Sequence, residues 1–149
     1  MKQNYHSHIK TTMPIHEAFE KINNVSAWWT PDIKGDSKKL NDVFTVYFGE
    51  TFVTFKVTEL VPDKKVAWYV TDCNLHWIKD KKEWKDTTID FELSAQNGDT
   101  EIDFTHIGLV PEAECYDNCK EGWDFYITKS LSKYIDEGKG LPNTPIAAR

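Results

Sequence analysis

Apolar and polar side chains alternate with a period of two in five stretches of the chain. Phe44, Val46 and Phe48 alternate with Thr45 and Tyr47, and Val53, Phe55 and Val57 alternate with Thr54 and Lys56. Val66, Trp68 and Val70 follow, then Ile89, Phe91 and Leu93, then Ile102, Phe104 and His106. Successive side chains of a strand point to opposite faces, so this period predicts half-buried antiparallel strands. Gly49-Glu50, Pro62-Asp63-Lys64 and Asn97-Gly98-Asp99 supply turn signals between neighbours. Residues 4–11 alternate more weakly and predict a first strand.

A helical period appears in two places. Ile15, Ala18, Phe19 and Ile22 fall at helical spacing behind Pro14, a residue suited to a first helical position. VSAWW (25–29) predicts another helical turn, closed by Thr30-Pro31, and IKGDSKKLND (33–42) reads as loop. Pro111 opens a helix expected to run to about Glu137, with Tyr116, Cys119, Trp123, Ile127, Leu131 and Tyr134 as its apolar stripe. That length is roughly 40 Å, enough to cross a small domain. Gly138, Gly140 and Pro142 end the helix, and the tail from Leu141 is expected to fray. CNLHWIKDKKEWKD (73–86) has no clean period and predicts a long loop carrying Trp77 and Trp84.

No repeat, low-complexity stretch or linker interrupts the 149 residues, which predicts one domain over 1–149 with an ordered core of about 4–141. Strands without intervening helices give an antiparallel sheet, so the fold class is α+β. The long helix must bury its stripe. The concave face of a curved antiparallel sheet of about six strands offers the surface for it, with two short helices after the first strand.

Composition adds an aromatic load of six Trp, six Tyr and eight Phe, residues that fill cores and also line ligand cavities. The net charge of −6, with no basic run, argues against nucleic acid or an anionic membrane as partner. No window approaches the ~18 consecutive apolar residues of a membrane span. The first residues, MKQNYHSHIKTT, lack the apolar run of a secretory signal. Three cysteines fit free thiols in a reducing compartment, so a cytoplasmic location is expected.

The order of elements resembles the helix-grip fold of the START-like (SRPBCC) superfamily. NNVSAWWTPDIKGDSKKLNDVF (23–44), VTELVPDKKVAWYV (57–70) and TEIDFTHIGLVPEAECYDNCKEGWDFYITKSLSKYIDEGKG (100–140) resemble proteins similar to the activator of the heat-shock protein 90 ATPase. The resemblance covers about 5–141. It implies a cavity between sheet and helix, and it adds a chaperone to the partners to consider. The same fold hosts carriers, receptors and enzymes, so function has to be argued from the site.

The site candidates follow from the inward phases. Phe48, Phe55, Trp68, Phe91 and Phe104 on the strands, with Trp123 and Ile127 on the helix, are expected to face one another. They would either line a cavity for a small apolar molecule or fill the core. Trp29 and Trp77 are candidate lid residues, as are Trp28 and Trp84. His106 continues the inward phase and would sit at one end of the pocket. There it would either meet a ligand oxygen or bond a nearby backbone carbonyl. Cys115 and Cys119, four apart, share a helix face, with small buried hydrophobes as the plain reading and a metal or redox role as the other. Asp90, Glu92, Glu101 and Asp103 form an acidic outer face, and His6, His8 and His16 read as surface. No phosphate loop, zinc-protease or serine-hydrolase motif is present, so no cofactor, metal or catalytic residue is assigned.

Three functions remain open on this reading. A non-catalytic binder of a small hydrophobic or amphipathic molecule requires a cavity open to solvent. A protein-interaction module or chaperone co-factor, monomeric or homodimeric, requires an exposed acidic or aromatic patch. A cyclase- or hydrolase-type enzyme requires two polar groups converging inside the cavity.

Overall fold

The computed structural model describes residues 3–143. Seven strands form one antiparallel sheet: β1 (Tyr5–Thr11), β2 (Ile33–Gly35), β3 (Val43–Phe48), β4 (Thr51–Val61), β5 (Lys65–Asn74), β6 (Thr88–Gln96) and β7 (Asp99–Ile107). Their spatial order is β1-β7-β6-β5-β4-β3-β2. Two short helices, α1 (Ile15–Ile22) and α2 (Val25–Trp28), link β1 to β2. The C-terminal helix has three parts: α3 (Tyr116–Phe125), a π-helical segment (Tyr126–Leu131) and α4 (Ser132–Glu137).

The inward phases expected from alternation are those observed. Phe44 lies opposite Phe55, Val57 opposite Trp68, Trp68 opposite Ile89, Phe91 opposite Phe104 and Ile89 opposite His106. All are buried. Each large apolar side chain removed from water contributes about 1.5–3 kcal/mol, so these rows supply much of the driving force for folding. Register shifts in β4 between Thr54 and Phe55 and between Val57 and Glu59 mark bulges, which bend the sheet around the helix. Between β6 and β7, Asn97 and Gly98 both take positive φ (52° and 85°), the signature of the tight hairpin turn that Asn-Gly favours.

Several boundaries differ from the sequence reading. The segment 33–42, expected as loop, contributes β2, whose three residues pair with the edge of β3, Ile33 opposite Val46. The sheet therefore has seven strands rather than about six. The last helix begins at Tyr116 rather than Pro111, because 111–115 make turns. Its buried face reads Cys119, Trp123, Ile127, Leu131, Ile135, a strict spacing of four. Four residues overshoot one α-helical turn by about 40°, so such a row would drift around a regular helix. The wider π segment in its middle takes up that drift. Ile135 consequently occupies the core position expected for Tyr134, whose hydroxyl instead accepts from Asn24 Nδ2 at 2.7 Å.

The described start of the tail is tied down rather than frayed. The Leu141 amide donates to Ser130 Oγ at 2.7 Å, and the Asn143 amide donates to the Trp29 carbonyl at 2.7 Å. The remainder of the expected frayed tail, from residue 144, lies outside the described residues. No helix among the described residues is long and apolar enough to cross a membrane.

Candidate functional site

The long segment between β5 and β6 crosses the N-terminal half of the C-terminal helix as a strap, residues 75–87. Two glutamates fasten it in opposite senses. The Glu83 carboxylate accepts from the Glu114 and Cys115 amides at 2.7 and 2.9 Å, capping the approach to α3. The Glu114 carboxylate accepts from the Lys79 and Asp80 amides at 2.9 and 3.0 Å, capping a turn of the strap. Those two backbone donors hold the Glu114 carboxyl below its ordinary range. Buried apolar residues dock the strap further: Leu75, Ile78 and Trp84 join the core.

Between strap, β3–β4 hairpin and helix lies a cavity of about 280 Å³. The hairpin contributes Phe48, Thr51 and Val53 to its lining. The strap contributes Leu75, Trp77 and Trp84, and the helix contributes Cys119, Gly122, Trp123 and Tyr126. Trp29, just past α2, completes it. The indoles are mutually braced. Trp29 and Trp123 have ring centroids 4.9 Å apart, and Trp84 stacks on Trp123 at 5.8 Å with 14° between planes. Behind them lie Trp28 and Trp68, whose rings are within 17° of parallel with each other and with Trp29.

Three polar side-chain atoms of the lining have partners within the protein. Thr51 Oγ1 accepts from the His76 amide at 3.1 Å, Trp84 Nε1 donates to Cys115 Sγ at 3.3 Å, and Trp123 Nε1 donates to His106 at 3.1 Å. The Tyr126 phenol is raised from its ordinary value by burial alone.

Of the ten ligand-contact candidates, Trp29, Phe48, Trp77 and Trp123 come together on the cavity wall. Phe55, Trp68, Phe91, Phe104 and Ile127 are fully buried behind that wall, in contact with the same aromatic cluster. Phe104 stacks at a tilt on Trp123 at 4.6 Å, and Phe55 on Trp29 at 5.7 Å. His106 is fully buried beneath Trp84 and Trp123. Its two nitrogens face Trp123 Nε1 and Thr87 Oγ1, the latter at 2.9 Å. Thr51, Val53, Leu75, Cys119, Gly122 and Tyr126 line the cavity in addition to the contacts expected from the sequence. Trp84, expected as a candidate lid residue, lines it as well. The helical spacing Cys119–Gly122–Trp123–Tyr126 is the one sequence signal that groups four of these residues on a face.

The cysteine expectation changes. Cys115 and Cys119, read as thiols, are paired as a disulfide, while Cys73 is free and buried. One helical turn of separation brings the two Cα atoms to 5.6 Å, a distance that permits the pairing. Among the described residues no group of three or more His, Cys, Asp or Glu is placed to hold a metal ion. On the outer face the acidic row is partly matched by bases. Asp103 meets His6 and His8, Glu101 meets His8, and Lys65 sits between Glu59 and Asp90.

Comparison with known proteins adds the family. A family model described as "Activator of Hsp90 ATPase homolog 1-like protein" matches residues 13–136. Among proteins of curated function, none matches. A solution structure of an Aha1 dimer from Colwellia psychrerythraea superposes with a TM-score of 0.75 at 24% identity, covering 93% of this chain and 99% of that one. A protein from Staphylococcus saprophyticus gives 0.69 at 13% identity, covering 93% and 96%. A Bacillus halodurans protein gives 0.67 at 12%, covering 92% and 100%. Identities this low establish the shared helix-grip fold and nothing finer.

Proposed function

The chain belongs to the activator of Hsp90 ATPase homolog 1-like family, and from that premise we propose that it holds a small, largely apolar molecule in the cavity under the strap, without transforming it. The observation that carries this reading is the cavity itself: about 280 Å³ walled by Trp29, Trp77, Trp84 and Trp123. A solvent-open, largely apolar pocket walled by converging aromatic rings is the default place for a small molecule to bind. It approaches the lower end of small-molecule pockets, about 300 Å³. The wall offers rings and few unpaired polar atoms, which selects a flat apolar body over a charged one. His106 contributes no free nitrogen, so acid–base chemistry by that ring has no support in the geometry. A cytoplasmic site of action goes with this reading.

Native mass spectrometry of the protein purified from its own host tests it. A discrete non-covalent adduct, recovered as a small molecule on denaturing extraction, is the expected result. Protein that stays ligand-free, even after soaking with fatty acids, sterols and aromatic metabolites, would overturn it.

One observation favours a second reading, a protein-interaction module of the kind the family name implies. Trp77 is 47% exposed at the cavity rim, and Phe125, beside Tyr126, is 39% exposed. Exposed aromatics of this sort anchor protein interfaces. Pull-down with a chaperone of the heat-shock protein 90 class, using the native chain and Trp77→Ala, separates the two readings. Loss of a captured chaperone in the variant supports the interaction module. The Colwellia neighbour is a dimer, and sedimentation at rising concentration decides between monomer and homodimer here.

A further inference from the structure

We propose that Cys115 and Cys119 form a reversible dithiol–disulfide site, reached through the cavity, that exchanges with low-molecular-weight disulfides. Cys119 opens into the cavity proposed to hold a small molecule, but the exchange requires only that the cavity be open, not that it bind a ligand.

The geometry gives the two sulfurs different exposures. Cys119 is 8% exposed and lines the cavity, whereas Cys115 is fully buried. An incoming disulfide therefore meets Cys119 first. Both cysteines lie in one helical turn, with the Cys119 amide donating to the Cys115 carbonyl at 2.8 Å, so the second sulfur waits within bonding reach of the first. Trp84 Nε1 donates to Cys115 Sγ at 3.3 Å. That N–H stabilises negative charge on Cys115, which makes it a good resolving nucleophile and, in reverse, a good leaving group. Glu83 already occupies the Glu114 and Cys115 amides. The charge on this sulfur consequently rests on Trp84 rather than on the helix start.

The exchange balances as follows. The Cys119 thiolate attacks one sulfur of the small disulfide, whose S–S bond breaks and releases one thiolate. The Cys115 thiolate then attacks Cys119 Sγ, the mixed S–S bond breaks, and the second small thiolate leaves. The two protons given up by the cysteines end on the two released thiols. The protein dithiol is oxidised and the small disulfide reduced. Reduction runs the same steps backwards, with a small thiol attacking the accessible Cys119 and expelling Cys115. In compartments held reducing, protein disulfides are usually transient and redox-active, which is the role this site fits.

Cys73 serves as an internal control. It is free, buried and not part of the cavity lining, so a disulfide entering the cavity does not meet it, and burial pushes its thiol up.

The test equilibrates the full chain in glutathione buffers of graded ratio, quenches in acid, unfolds, alkylates and weighs the product. The expected result is loss of two alkylation sites together, with a mass lower by two hydrogens and Cys73 still alkylated. In Cys115→Ser the exchange should stop at a glutathione adduct on Cys119. In Cys119→Ser neither the internal bond nor the adduct should form in the folded chain. Three alkylatable cysteines retained by the native chain in oxidised glutathione would overturn the proposal. So would an adduct forming on Cys119→Ser as readily as on Cys115→Ser. The native-chain titration stands even where a variant fails to fold.

Discussion

The indole N–H of Trp123 donates to Nδ1 of His106 across 3.1 Å, and this one bond fixes the state of the imidazole. An indole nitrogen can only donate, so Nδ1 must accept and the neutral ring carries its proton on Nε2. That proton faces Thr87 Oγ1 at 2.9 Å, and the Thr87 hydroxyl in turn donates to the Trp84 carbonyl at 2.6 Å. The ring is thus a brace joining helix, β7 and strap. Complete burial pushes it down to about 3.

The pH consequence follows from that depressed value. An unfolded histidine titrates near 6.5, so below that pH the unfolded chain binds a proton that the folded chain refuses. The neutral ring's contribution is complete above about pH 6.5 and falls, by up to about 1.4 kcal/mol per pH unit, as pH drops toward 3. Urea midpoints for native protein and His106→Gln should differ most at neutral pH and converge near pH 5. Carboxylates common to both chains cancel in that comparison. A gap that widens in acid would show a charged imidazole in the folded chain. His106→Ala, which leaves the Trp123 donor without an acceptor beside a void, should cost about 3 kcal/mol at pH 7.

The reciprocal glutamate clasp predicts local rather than global loosening. Removing a capping acceptor costs about 1 kcal/mol, so Glu83→Ala should speed hydrogen exchange in residues 75–87 about fivefold while the β6–β7 amides keep native protection. Glu114 sets the pH dependence. Its folded value is depressed, so its clasp is present above the ordinary carboxylate range and is lost only as pH falls through the lowered value. Glu114→Gln at neutral pH should reproduce the acid-loosened strap in the same exchange experiment. Uniformly faster exchange across the sheet in either variant would mean that the glutamates support the whole fold, not the strap.

What could be read from sequence divides along a physical line. The inward rows of β3 to β7 were legible because the period of two is local, and Asn97-Gly98 carries its own conformational preference. The strand β2 was not, because Ile33–Gly35 has no alternation of its own and exists by pairing with β3. The start of α3 was misplaced for a similar reason. The acceptor for the Glu114 and Cys115 amides is Glu83, over thirty residues earlier, and no local pattern encodes it. Which aromatic rings face the cavity and which stand behind it depends on how the strap lies. Phe48 and Phe55 share a face of the β3–β4 pair, yet only Phe48 reaches the wall. The Cys115–Cys119 spacing was visible as one helix face, but its tie to Trp84 was not.

Gly122 gives the most direct control over the cavity. It sits in the interior of α3, where glycine costs up to about 1 kcal/mol relative to alanine. It lines the cavity, and a Cβ built there would meet no atom within 4 Å. Its backbone is helical, so added carbons bring no strain and have the open cavity to enter. Gly122→Ala should therefore raise the thermal midpoint, by an amount corresponding to about 1 kcal/mol or less. Gly122→Leu should keep at least native stability while its side chain fills the space beneath Trp123 and Tyr126. If the cavity is the binding site, the adduct expected in native mass spectrometry should disappear in Gly122→Leu and persist in Gly122→Ala at reduced occupancy. An adduct unchanged in a folded Gly122→Leu protein would place the bound molecule elsewhere. Chaperone capture that survives Gly122→Leu but fails in Trp77→Ala would assign the exposed aromatic rim, rather than the cavity, to function.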